Sequence, residues 1–173
     1  AEAFVDASIQ KGNAILRNES LDQSERDREF RDFVLSITDM KRVALFTLGP
    51  YAKDAPGEAV AGFVAALTDF NVALFRNGFR SYAQTTRVTG SVVRADDDII
   101  VNAEVANPDG KPQPMKIAFR VRKDDKGRNI ILDVQLSGAW LAVSQRQDFD
   151  SYLTLNGGDI SKLSGELQKH IPK

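Results

Sequence analysis

Cysteine is absent from the 173 residues, histidine and tryptophan occur once each, and neither sign of charge is in excess, with 23 Lys plus Arg against 24 Asp plus Glu. Each scarcity removes a class of function. Without cysteine there are no disulfides, thiolate metal sites or cysteine nucleophiles, and its absence fits an oxidising or a reducing compartment equally. A formal charge of −1 lacks the basic excess with which nucleic-acid binders neutralise phosphates, so no nucleic-acid partner is expected. The one histidine, His170, lies near the end of the sequence, away from any nucleophile elbow or H-x-x-x-H pair. Gly157-Gly158 has no Lys or further Gly to make a phosphate loop, and the acidic turn Asp96-Asp97-Asp98 lacks the spaced ligands and glycine of a calcium loop. No enzyme, no metal and no cofactor is therefore expected. No uninterrupted run reaches the ~18 apolar residues of a membrane span. What is present, 42% hydrophobic and 27% charged residues, is the composition of a folded chain. Its length suits one domain over residues 1–173. The opening Ala1-Glu2, without Met, is what a secreted chain cut after its signal would show, and a trimmed chain would show the same.

Helical spacing fills the first half. Glu2 to Leu16 carries Phe4, Val5, Ile9, Ile15 and Leu16, and Asp22 to Thr38 sets Phe30, Phe33, Val34 and Ile37 as one buried stripe on a charged helix. Asp39 is a cap for a short helix through Val43 and Phe46 to Leu48, which Gly49 and Pro50 end. The longest helix is predicted from a cap at Asp54, with Pro56 in its first turn, to Tyr82, and Gly78 is a candidate bend. Val60, Phe63, Leu67, Phe70 and Leu74 form one stripe on it; Val64, Val72, Phe75, Phe79 and Tyr82 form a second. A helix apolar on two sides must be surrounded, by protein or by bound lipid.

After Tyr82 the period becomes alternating. Strands are predicted over Gln84–Val93, with a bend or bulge at Gly90, then Ile99–Val105, a third around Met115, Ile117, Phe119 and Val121, and a fourth setting Ile130, Leu132, Val134 and Leu136 against Ile131, Asp133 and Gln135. Short turns between them make an antiparallel meander with one wet face, so the helices must cover the other. Two helices, Leu141–Leu155 and Asp159–His170, close an α+β fold with a four-stranded sheet.

Several residues together resemble one family. Asp39 to Tyr51 reads D-x-x-x-V-A-x-x-x-L-G-x-Y, and Asp133, Val134, Gly138, Leu141, Arg146 and Phe149 read D-V-x-x-x-G-x-x-L-x-x-x-x-R-x-x-F. Both resemble the MlaC or toluene-tolerance (Ttg2-type) family of periplasmic phospholipid carriers, and Gly157-Gly158, Leu163 and Leu167 suit its final helix. Ala52, Trp140 and Gln145 depart from the pattern, since Trp, a small residue and Tyr respectively are common there. The resemblance implies an NTF2-like layout, a curved antiparallel sheet wrapped by helices around an apolar cavity. It implies a phospholipid cargo carried through the periplasm between the membranes. The implied partners are an inner-membrane ABC transporter with an MCE-domain protein and an outer-membrane lipoprotein-porin complex, in the service of outer-membrane asymmetry. Nothing in the sequence requires assembly, so a monomer is expected.

The candidate lining on the helices is Val43, Phe46, Leu48, Phe63, Leu67, Phe70, Leu74, Phe75 and Phe79. On the sheet it is Val101, Ala103, Val105, Ile117, Phe119, Val121 and Val134. Tyr82 and Trp140, with Tyr51, are amphipathic enough to mark a mouth. Without the resemblance the same stripes read as ordinary core. Ala61, Gly62, Ala65, Ala66 and Ala73 leave room for a ligand or for close helix packing. Arg146 could pair a phosphate or serve as a salt bridge or cap, and Lys116, Arg120, Arg122 and Lys123 read as a solvated sheet face. Three rival readings stand beside the phospholipid carrier: a carrier of another lipid such as a hopanoid, a structural or adaptor domain with a filled core and no ligand, and an NTF2-like small-molecule domain with no transport role. An enzyme of that layout would need titratable groups on the inward strand positions, which are nearly all apolar.

Overall fold

Aspartates begin three of the helices in the computed structural model, which describes all of residues 1–173. Asp22 and Glu25 form a reciprocal capping box before α2 (Gln23–Ile37). Asp39 accepts from the Arg42 N–H before α3 (Met40–Leu48), and Asp159 from the Lys162 N–H before α6 (Ile160–Lys169). With α1 (Glu2–Leu16), α4 (Gly57–Tyr82) and α5 (Leu141–Leu155) these make six α-helices. The predicted Asp54 cap is not used. Pro56, in extended geometry, is itself the N-cap and α4 starts at Gly57, because a proline pushes the residue before it out of helical space. Helix α4 runs unbroken through Gly78 to Tyr82. It is long and apolar enough to cross a membrane, yet α1, α2, α3 and α6 all pack against it.

The sheet is an antiparallel meander of five strands, not four, in the order β1-β2-β3-β4-β5. They are β1 (Thr86–Ala95), β2 (Asp98–Val105), β3 (Met115–Lys123), β4 (Asn129–Leu136) and the two-residue β5 (Ala139–Trp140), which folds back on Gln135 and Leu136. The first strand begins two residues later than its alternation suggested because Ala83–Thr85 extends α4 as a 3-10 turn, and the register of β1 slips at Gly90 as expected of a bulge. A second slip corrects the alternation of β4. Arg120 pairs with Asp133 but Val121 with Ile131, so Leu132 is an extra residue. Ile131 therefore shares the inner face with Val134, and Ile130 lies on the opposite face.

That opposite face carries Lys116, Arg120 and Arg122 of the basic row, and its two arginines are paired with carboxylates. Arg120 forks onto Asp98 with bonds of 3.0 and 2.9 Å, Arg122 reaches Asp97 at 3.0 Å, and Lys123 donates to Asn129 at 2.6 Å. The Arg120 bonds hold the Asp98 carboxyl below the usual carboxylate range. A carboxyl with a lowered folded pKa stabilises the fold above its unfolded pKa of about 3.9 and loses that contribution as pH falls through the folded value. Asp98→Asn is therefore expected to cost about 1 kcal/mol at pH 7, limited by screening of the half-exposed guanidinium. Urea titrations at pH 7 and at steps below pH 4 check this, since the two proteins should converge as the acid limb is descended.

Apolar side chains gather into three clusters. One is helical, with Val43, Leu48, Phe63, Leu67, Phe149 and Leu153; one joins α1 to the sheet, with Val5, Ile9, Val101, Val105, Phe119 and Val121; the third is Phe30, Phe33, Val34 and Val72. A domain normally closes one contiguous core. Here the clusters meet around a gap.

Candidate functional site

The gap holds an inner chamber of about 70 Å³, walled by members of all three clusters: Met40 and Val43, Val5 and Ile9, Phe33 and Val34. Beside it lies a larger chamber of about 540 Å³, within the ~300–1,000 Å³ usual for ligand sites. Ile9, Phe75, Phe79, Phe119, Val134 and Leu141 belong to both walls, so only side chains separate the two spaces. The larger chamber reaches the surface at Ser81, Leu136 and Ala139. At this mouth the Tyr82 hydroxyl donates to Asp109, and loss of hydration together with the nearby carboxylate raises the phenol pKa.

The aromatic wall is built by close helix approach. At Gly12 of α1 an added Cβ would collide with the Phe79 ring and lie 2.9 Å from Phe33. Phe79 in turn stands edge-on to Phe30 and Phe33, at 5.3 and 6.1 Å between centroids. Few polar groups enter the inner chamber. Asp133 accepts at 2.9 Å from the N–H groups of Val134 and of Ala142 in the first turn of α5. Burial raises its pKa, and the two N–H groups oppose the rise. Asn71 and Gln145, both buried, share a 2.7 Å bond across α4 and α5.

Of the residues singled out in the sequence, Val43 lines the inner chamber, Leu74, Tyr82 and Ile117 the outer, and Phe75, Phe79, Phe119 and Val134 both. The structure places Leu48, Phe63 and Leu67 inside the helical cluster, with Phe70 packed against it. It places Val101, Ala103, Val105 and Val121 in the cluster between α1 and the sheet. Trp140 is the N-cap residue of α5 and pairs with Gln135, outside both chambers. Phe46 is exposed, with the Arg146 guanidinium 5.0 Å above its ring. Arg146 makes no salt bridge and no cap; it also lies over Gly49, where an added Cβ would stand 3.2 Å from the guanidinium. Gly49 has φ +56° and ψ −134°, a conformation costing a side-chain-bearing residue about 1–3 kcal/mol. The lining residues not singled out are mainly Val5 and Ile9 of α1, Phe33, Val34 and Ile37 of α2, and Leu141 of α5. The spacing of the α2 residues marked them as buried, and nothing in it told wall from core.

Residues 6–169 match the family model described as MlaC protein. The chain belongs to the MlaC family. A search of the curated proteins finds no match. Among solved structures, this MlaC-family chain is similar to a phospholipid-binding protein from Ralstonia solanacearum, solved in complex with a phospholipid. The TM-score is 0.79 at 20% identity, over 100% of this chain and 99% of that one, a likeness of fold. In this MlaC-family chain most of the motif residues are architectural. Asp39 caps α3, Gly49 seats Arg146 of α5, the Tyr51 hydroxyl meets Thr154 at 2.9 Å, and Asp133 fastens the start of α5 to β4.

Proposed function

We propose that this protein is a periplasmic phospholipid carrier that moves lipid between the inner and outer membranes and so maintains outer-membrane lipid asymmetry. The observation that carries the reading is the apolar double chamber between helices and sheet, open at one end. Membership of the MlaC family supports it. Burial of an acyl chain supplies roughly 0.8 kcal/mol per methylene, so ten methylenes contribute about 8 kcal/mol, equivalent to a micromolar dissociation constant. No charged group is needed for that affinity, and the head group stays at the mouth near Tyr82 and Ser81. The chain acts as a single domain, with an inner-membrane ABC transporter bearing an MCE-domain protein and an outer-membrane lipoprotein-porin complex as its partners.

Native mass spectrometry of the purified protein, followed by organic extraction of whatever is bound, tests the reading. One phospholipid per chain is the expected result. A folded protein that is empty and stays empty after incubation with phospholipid vesicles would overturn it.

A further inference from the structure

The inner chamber is mostly apolar, and of the polar side chains in its wall, Ser8, Thr38, Asn71, Asp133 and Gln145, only Gln145 holds a fully buried side-chain atom without a partner. Gln145 Nε2 donates to Asn71 Oδ1 at 2.7 Å, while Gln145 Oε1 is fully buried with no hydrogen-bond partner. Asn71 is 1% exposed and Gln145 6%. A buried amide oxygen without a donor is costly, and native proteins leave very few. Reversing both amides preserves their mutual bond and leaves Gln145 Nε2 directed where Oε1 was. A group that suits both arrangements must donate to the site in one and accept from it in the other. A hydroxyl does both. An ester or ketone carbonyl serves only the reversed arrangement, and a methylene serves neither.

We propose that Asn71 and Gln145 form a subsite for a hydroxyl group carried along a lipid's acyl chain, so that the cavity prefers hydroxylated chains to plain ones. This rests on the lipid-carrier reading and narrows its cargo. A space of about 70 Å³ holds one or two water-sized groups. On this proposal a water completes the pair in the unloaded protein. A plain chain entering past Phe75 and Phe79 displaces that water and strands Oε1; a hydroxylated chain replaces it.

The test uses the delipidated full chain and measures binding of stearate and of a series of monohydroxystearates with the hydroxyl walked along the chain. At least one member of the series is expected to bind about tenfold more tightly than stearate, or better. In the double variant Asn71→Leu/Gln145→Met, where both polar partners are removed together, that member should fall to the affinity of stearate while stearate binds at least as well as before. Thermal unfolding confirms that the variant is folded. Should stearate bind the wild type and no hydroxystearate bind better, the subsite is overturned and the carrier stands, with a water alone completing Gln145. A preference that survives in the folded double variant also overturns it. If neither plain nor hydroxylated chains bind the wild type, the subsite fails, and loading from phospholipid vesicles decides the carrier reading separately.

Discussion

Phe119→Asp is expected to empty the cavity, lowering lipid retention by two orders of magnitude or more. Phe119 is 9% exposed, faces both chambers from the middle of β3, and pairs across β4 with Val134, another wall residue. A carboxylate there must either stay charged in an apolar space or take up a proton, and both outcomes disfavour acyl chains packed alongside it. Because the same change threatens the fold, Gly78→Trp is its companion. Gly78 lies in the helical run of α4, lines the outer chamber, and has nothing within 4 Å of where its Cβ would be. An indole there fills the space by which a chain enters. Helix stability should hold or rise, since glycine inside a helix costs about 1 kcal/mol relative to good helix formers. Lipid-to-protein ratio by native mass spectrometry, taken alongside Tm, checks both variants. Stoichiometric lipid in folded Gly78→Trp would mean that the chains lie elsewhere.

Most elements were legible in the sequence because they were announced twice, by period and by punctuation. Asp22, Asp39 and Asp159 cap where the apolar stripes begin, and Gly49 ends α3 where a positive φ is required. Asp54 misled because a good cap residue stood before Ala55-Pro56, and the proline's steric demand overrode it. The bulge at Leu132 was invisible for a related reason. Ile130 to Leu132 is apolar at every position, so alternation could not reveal which residue was extra. The fifth strand is two residues long and has no period at all.

The cavity was legible as a composition and not as a place. A wall residue and a core residue obey the same rule, since both are apolar at helical or alternating spacing; they differ only in whether a neighbouring element closes over them. Phe70 and Phe75 lie five positions apart on α4, yet the first packs on the α3–α5–α6 side and the second turns to the chambers. That division depends on where α1, α2, α3 and α6 pass α4, which is long-range information. Polar residues buried beside those stripes were the more local signal. Asn71 directly follows Phe70 and directly precedes Val72, and Gln145 sits on the face of α5 that carries Leu141, Ala142 and Phe149. A polar side chain held on an inward face invites the question of what satisfies it.

The sharpest separation of core from wall comes from Phe63→Ala. Phe63 is fully buried in the helical cluster, stands edge-on to Phe149 at 5.6 Å between ring centroids, and touches neither chamber. Truncating it removes the whole ring from a well-packed site, for which the loss is about 3–5 kcal/mol. For a chain of this length that lowers Tm by roughly 6–20 °C. The measurement belongs on delipidated protein, because a ligand that binds only the folded state adds stability of its own and would hide part of the loss. Reloaded below its lowered Tm, folded Phe63→Ala should bind lipid at the wild-type ratio, the opposite pattern to Gly78→Trp, which should keep its Tm and lose its lipid. Two variants on one helix, one damaging stability alone and the other cargo alone, would establish that α4 carries a core on one face and a binding wall on another. Lipid lost from folded Phe63→Ala would instead join the helical cluster to the site and dissolve the distinction.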